Sequence, residues 1–128
     1  MENLQEFLRN KIICVTGGVG SVGKELINQL LNYDIAEVRS LDINESGIFY
    51  QQQKYYDDPR YFGMQGDISS EWDLTSIFKG VDYVIHAAAL KHVPSCEQNP
   101  FSAIDTNIVG MKAVIKMAIR YGIKKVLF

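Results

Sequence analysis

Residues 11–23 read KIICVTGGVGSVG, and this stretch decides the fold. The run over 11–16 has the length and apolar character of a buried strand. Glycines follow at 17, 18, 20 and 23. Helical spacing then begins, with Val22, Leu26, Leu30 and Leu31 marking a helix over 21–33. A strand, a glycine turn and a helix in that order open a dinucleotide-binding unit, whereas glycines alone would say little. Gly17 makes the tight turn after Thr16. Gly20 lets backbone approach a pyrophosphate, and Gly23 lets the helix pack close to the sheet. Amides near Ser21 and Val22 face the phosphates at the positive helix end. The loop lacks the Gly-Lys-Ser/Thr ending of a nucleoside-triphosphate loop, which argues against a kinase or ATPase.

Outward from the loop, short apolar runs alternate with longer helical patterns. Strands are expected over 11–16, 36–41, 61–65, 81–86 and 125–128, and helices over 21–33, 44–55, 71–78 and 101–121. The 44–55 helix is the weakest because its face is rich in glutamine. The long helix draws its apolar face from Ile104, Ile108, Met111, Val114, Ile115 and Ala118. This alternation predicts an α/β fold: an NAD(P)-binding, Rossmann-like, doubly wound parallel sheet with helices on both faces. The chain stops inside the fifth strand. Residues 1–128 are therefore expected to be the N-terminal part of a larger domain.

Candidate site residues sit where these strands end. Asp42 follows the second strand, 19 residues past Gly23. A carboxylate there receives the adenosine ribose hydroxyls and repels a 2′-phosphate, which favours NAD over NADP. The same residue also reads as the cap of the 44–55 helix, and the two roles are compatible. After the third strand, Asp67 suits the adenine amino group and Ile68 its edge. A turn acid beside Ser69 or Ser70 is the alternative. Ala87, Ala88 and Ala89 follow the fourth strand, where small side chains let the phosphate–ribose part of a cofactor pass near backbone. His86 reads as a packed strand-end histidine. Lys91 suits an anionic substrate such as a diphosphate, or the cofactor, or solvent. Asn107 lies in the long helix, either steadying the loops near the cleft or facing water.

Composition narrows the classes. The chain is 47% hydrophobic and 22% charged, which suits a soluble globular core. A net charge of -2 supplies no basic field, so no nucleic-acid partner is expected. Cys14 and Cys96 form neither a disulfide framework nor a metal motif, and no metal is expected. A reduced, cytoplasmic setting fits two thiols. No apolar stretch approaches the ~18 residues of a membrane span. The opening MENLQEFLRN is a short amphipathic segment, expected to pack on the domain, with contact at a membrane surface the lesser alternative.

Taken together, these residues resemble the extended short-chain dehydrogenase/reductase family. The likeness is narrower toward its polysaccharide-biosynthesis branch of nucleotide-sugar dehydratases, which includes UDP-N-acetylglucosamine 4,6-dehydratases. It rests on TGGVGSVG at 16–23, GDI at 66–68 and HAAALKHVP at 86–94, then Glu97, NP at 99–100 and TNIVG at 106–110. The resemblance implies a pyrophosphate loop at Gly17, Gly20 and Gly23, and adenine contacts at Asp67 and Ile68. It further implies cofactor packing at Ala87–Ala89, a cleft role for Lys91 and a cofactor-side role for Asn107. NADP-using relatives often carry an arginine after a serine at the end of the second strand. Here Leu41 follows Ser40, which agrees with NAD.

The resemblance also implies a Tyr-x-x-x-Lys pair in the helix after the fifth strand. Tyr121 and Lys125 have that spacing but precede or begin the strand, so no catalytic residue is assigned. For the whole enzyme the resemblance implies dehydration of UDP-N-acetylglucosamine. Hydride leaves C4, the C5 proton is acidified, water is lost from C6, and hydride returns to C6. A 4-epimerase or a related dehydrogenase shares the opening step, and a non-catalytic nucleotide-binding module suits the literal chain. Homo-oligomers are implied as well.

Overall fold

A computed structural model describes residues 3–88 and 100–128, the side chains of 100–108 excepted. The chain opens with α1 (Leu4–Leu8), capped by the Asn3 side chain, which accepts from the Glu6 amide at 2.9 Å. Leu8 is buried, and Phe7 stacks on Tyr83 with ring centroids 4.4 Å apart. This segment therefore packs on its own domain. Asn10, at φ 59, then turns the chain into the sheet, a conformation asparagine tolerates better than most residues.

The remaining elements are β1 (Ile12–Thr16), α2 (Ser21–Leu30), β2 (Glu37–Asp42), α3 (Glu45–Lys54) and β3 (Tyr61–Gln65). After them come α4 (Glu71–Phe78), β4 (Tyr83–His86), α5 (Pro100–Arg120) and β5 (Lys125–Leu127). The strands form one sheet in the order β3-β2-β1-β4-β5. Every pairing is parallel. The expected Rossmann-like α/β architecture is the one found. The chain winds outward from β1 to β3, then crosses to β4 on the other side. The crevice between the carboxyl ends of β1 and β4 is thus the switch point where such sheets take ligands.

Successive residues of β1 serve opposite faces, as the pleat requires. Ile13 and Val15 join Leu8, Ile27 and Leu30 in one core. Cys14 joins Leu74, Ile77, Phe78, Val114 and Met117 in the other. Burial of each large apolar side chain contributes roughly 1.5–3 kcal/mol. Burial also pushes the Cys14 thiol up to about 12, so it stays protonated as a small hydrophobe.

The sequence expectations need correction at several points. On α2, Gly23, Ile27 and Leu30 are buried, while Val22 is exposed. The helix also ends at Leu30, because the Asn32 and Tyr33 amides turn back to Gln29 and Leu30 carbonyls. Among the described side chains of α5, Ala113, Val114, Met117 and Ala118 make the buried face and Met111 and Ile115 are exposed, while the side chains of Ile104 and Ile108 lie outside those described. β4 begins at Tyr83 rather than Val81, since the Val81 amide closes a turn onto the Phe78 carbonyl. No helix among the described residues is long and apolar enough to cross a membrane.

Candidate functional site

The glycine loop is held almost entirely by its own neighbours. The Gly17 and Gly18 amides both donate to the Leu41 carbonyl, at 2.7 and 3.2 Å, and the Gly20 amide donates to the Gly17 carbonyl at 3.1 Å. The Val19 amide donates to Asp42 Oδ2 at 3.1 Å. The first helical bond of α2 runs from the Lys24 amide to the Gly20 carbonyl at 3.0 Å. Ser21 and Val22, both exposed, keep amides that no described group takes. Gly20 is the N-cap of α2 and supplies no side-chain cap. Open amides at a positive helix end are an anion site in waiting.

The glycines of the loop differ in what requires them. Gly17 has φ 71, and a Cβ there would meet the Ala88 backbone at 2.7 Å. A Cβ on Gly18 would strike the Ser40 hydroxyl, and one on Gly23 would strike the Gly17 carbonyl. Gly23 thus lets α2 pack on the loop itself rather than on the sheet. A Cβ on Gly20 would lie no nearer than 3.5 Å to any described atom outside its chain neighbours, the nearest being the Gly17 carbonyl oxygen. Internal packing therefore explains three glycines and leaves Gly20 open to something from outside.

Asp42 ends β2 beside this loop. Its Oδ2 takes the Val19 amide and its Oδ1 takes the Asn44 amide at 3.0 Å. The cap of α3 is Asn44, whose side chain accepts from the Gly47 amide at 3.0 Å, so the reading of Asp42 as that cap is corrected. Each carboxylate oxygen retains a second lone pair for a hydroxyl donor. Arg39 is committed elsewhere: its guanidinium bonds Glu37 and the Ile77 and Lys79 carbonyls. Lys24 lines a groove on the α2–α3 side of the loop, with Val19, Gly47, Tyr50 and Lys54.

The end of β4 lies against the loop. The Ala87 amide donates to the Thr16 carbonyl at 3.0 Å, and Ala88 is the backbone that a Cβ on Gly17 would hit. Thr16 Oγ1 lies 2.6 Å from His86 Nδ1, and both side chains are buried. His86 Nε2 has no hydrogen-bond partner among the described residues. Burial holds the imidazole below its usual titration range.

At the end of β3, Asp67 Oδ1 accepts from the Ser69 amide and hydroxyl, while Ser70 caps α4. The turn role of Asp67 is real, and Ser70 does the capping. Ile68 is half-buried, and its Cδ1 lies where a Cβ on Gly110 of α5 would stand. Ala89, Lys91 and the side chain of Asn107 lie outside the described residues.

Two contacts escaped the sequence reading. Gln51 of α3 is buried, donates to the Gly18 carbonyl at 2.8 Å and accepts from the Tyr61 hydroxyl at 2.7 Å. Gly47 lets the first turn of α3 seat against Val19. A glutamine inside a run of three gives no local signal that one of them is buried.

A parallel sheet in this order, with a glycine loop at its switch point, defines the Rossmann-like dinucleotide-binding class of folds. Within that class the chain belongs to the polysaccharide biosynthesis protein family, whose model matches residues 13–128. It is 40% identical to an uncharacterized membrane protein of Methanocaldococcus jannaschii, over 97% of this chain and 37% of that protein. It is 37% identical to the UDP-glucose 4-epimerase of Rickettsia akari, over 92% of this chain and 36% of that enzyme. Among solved structures it resembles Pen from Bacillus thuringiensis at a TM-score of 0.86 and 37% identity, covering 94% of this chain and 37% of that one. It also resembles DesIV, a dTDP-glucose 4,6-dehydratase from Streptomyces venezuelae solved with NAD, at 0.78 and 29%, covering 89% and 37%. The chain thus spans a little over a third of the length of these relatives.

Proposed function

We propose that this chain is the cofactor-binding portion of a nucleotide-sugar enzyme, and that the cofactor is NAD. The open backbone at Gly20, beside the untaken amides of Ser21 and Val22, carries the reading. Those groups would hold the pyrophosphate, and Gly17 and Gly23 would set its approach. The Asp42 carboxylate would take the ribose hydroxyls and, being negative, would disfavour a 2′-phosphate. Thr16, Ala87, Ala88 and Ala89 would border the central part of the dinucleotide, with Asp67 and Ile68 toward the adenine. Asn107 would stand on the nicotinamide side, and Lys91 near the sugar nucleotide's diphosphate. Bound in this way, a nicotinamide supplies reversible hydride transfer at C4 of the sugar.

The proposed reaction of the whole protein is 4,6-dehydration of UDP-N-acetylglucosamine in surface-glycan synthesis, in the cytoplasm and as a homo-oligomer. The family match and the likeness to a dTDP-glucose 4,6-dehydratase support it. The net change is loss of one water, so no outside oxidant is consumed. A second reading, 4-epimerisation, is favoured by the identity to the Rickettsia epimerase. In both, no residue among these 128 is assigned to proton transfer at the sugar. Incubating the whole protein with UDP-N-acetylglucosamine and weighing the product separates them. A product lighter by one water is expected. An isomer of unchanged mass would establish the epimerase instead.

A further inference from the structure

The Gly18–Val19 peptide is gripped at both ends. Its carbonyl accepts from Gln51 Nε2 at 2.8 Å, and its N–H donates to Asp42 Oδ2 at 3.1 Å. These two groups belong to one planar unit, so holding both fixes the plane against rotation. A glycine on one side makes that plane easy to flip when it is not held. The residue after Val19 is Gly20, which leads straight to the open amides of α2. The orientation of this one peptide therefore sets the direction in which the loop presents itself to a phosphate.

We propose that Gln51 is a positioning residue for phosphate binding, acting with Asp42 as a two-ended clamp on the Gly18–Val19 peptide. The proposal rests on the dinucleotide reading and adds a residue to it. The Tyr61 hydroxyl donates to Gln51 Oε1 at 2.7 Å. The Gly18 carbonyl can only accept, so it must face Nε2, and this leaves Oε1 to take the Tyr61 hydroxyl. Burial pushes the Tyr61 phenol up to about 12, so it remains a donor throughout the neutral range. Gln52 and Gln53, the two residues after Gln51, are exposed. The clamp also joins the two halves of the site. The carboxylate that would read the ribose is the one that holds the phosphate loop.

The test compares the protein with its Gln51→Leu, Gln51→Glu and Tyr61→Phe variants, titrated with NAD, ADP and adenosine. Gln51→Leu is expected to weaken NAD and ADP at least tenfold and to leave adenosine within about twofold, since adenosine carries no phosphate. Tyr61→Phe should show a smaller loss of the same kind. Gln51→Glu should bind poorly at neutral pH and recover as its carboxyl is protonated, because the acid form again donates to the Gly18 carbonyl. Equal loss of adenosine and ADP would overturn the proposal, as would wild-type affinity in Gln51→Leu. Amide hydrogen exchange at Val19 needs no ligand: Gln51→Leu should speed it at least tenfold, and no change would overturn the clamp. If wild-type protein ignores NAD while Gln51→Leu still speeds Val19 exchange, the dinucleotide reading falls and the clamp stands.

Discussion

No contact among the described residues requires a glycine at position 20. A serine there would suit the extended backbone of the position, at φ -71 and ψ 173. Its hydroxyl would also cap an open amide of α2, an interaction worth only about a few tenths of a kcal/mol over glycine at a helix cap. Gly20→Ser is therefore expected to keep or slightly raise the thermal midpoint while weakening NAD at least tenfold. Parallel loss of stability and binding would instead mark Gly20 as a folding residue. The tight turn at Gly17 was legible because strand, turn and helix are contiguous in sequence, whereas Gly23 packs on the loop and not, as expected, on the sheet. Gly18 and Gln51 were not legible, because what they meet, Ser40 and the loop itself, lies 22 and 33 residues away.

At the scale of elements, β1 and β4 could be read because apolar runs buried on both faces are short and bounded by turns, whereas β3 and β5, at the sheet edges, bury no residue fully. The faces of the helices were harder. Val22, Met111 and Ile115 are apolar at helical spacing and yet exposed, because spacing defines a stripe but not which neighbour covers it. The carboxyl ends of β1 and β4 are joined by Thr16 and His86, and this contact has a pH consequence. Burial lowers the folded-state titration of His86 below the ordinary value of 6.5. Between those two values the unfolded chain binds more protons, so stability rises with pH there. The contribution is complete above the ordinary value and is lost as pH falls through 6.5 toward the folded one. The urea midpoint should thus drop between pH 7.5 and pH 5 in the wild type. His86→Gln should flatten that drop, and an unchanged slope would show that another group carries it.

One topological fact of the whole molecule places the described candidates at the strand ends. In the order β3-β2-β1-β4-β5, all strands point the same way, so the ends of β1, β2, β3 and β4 share one edge of the sheet. Thr16, Asp42, Asp67 and Ala87 are far apart in sequence and close to that edge. The sequence showed the alternation of strands and helices, which implied a doubly wound sheet, but not the strand order, since parallel strands leave no local mark of their neighbours.

The central claim is that the edge formed by the glycine loop and Asp42 holds a dinucleotide with free ribose hydroxyls. Calorimetric titration of the protein with NAD and, separately, with NADP tests it most directly. One NAD per chain, bound at least tenfold more tightly than NADP, is the expected result, with Asp42→Asn narrowing the difference. Failure to bind either form, or tighter binding of NADP, would contradict it.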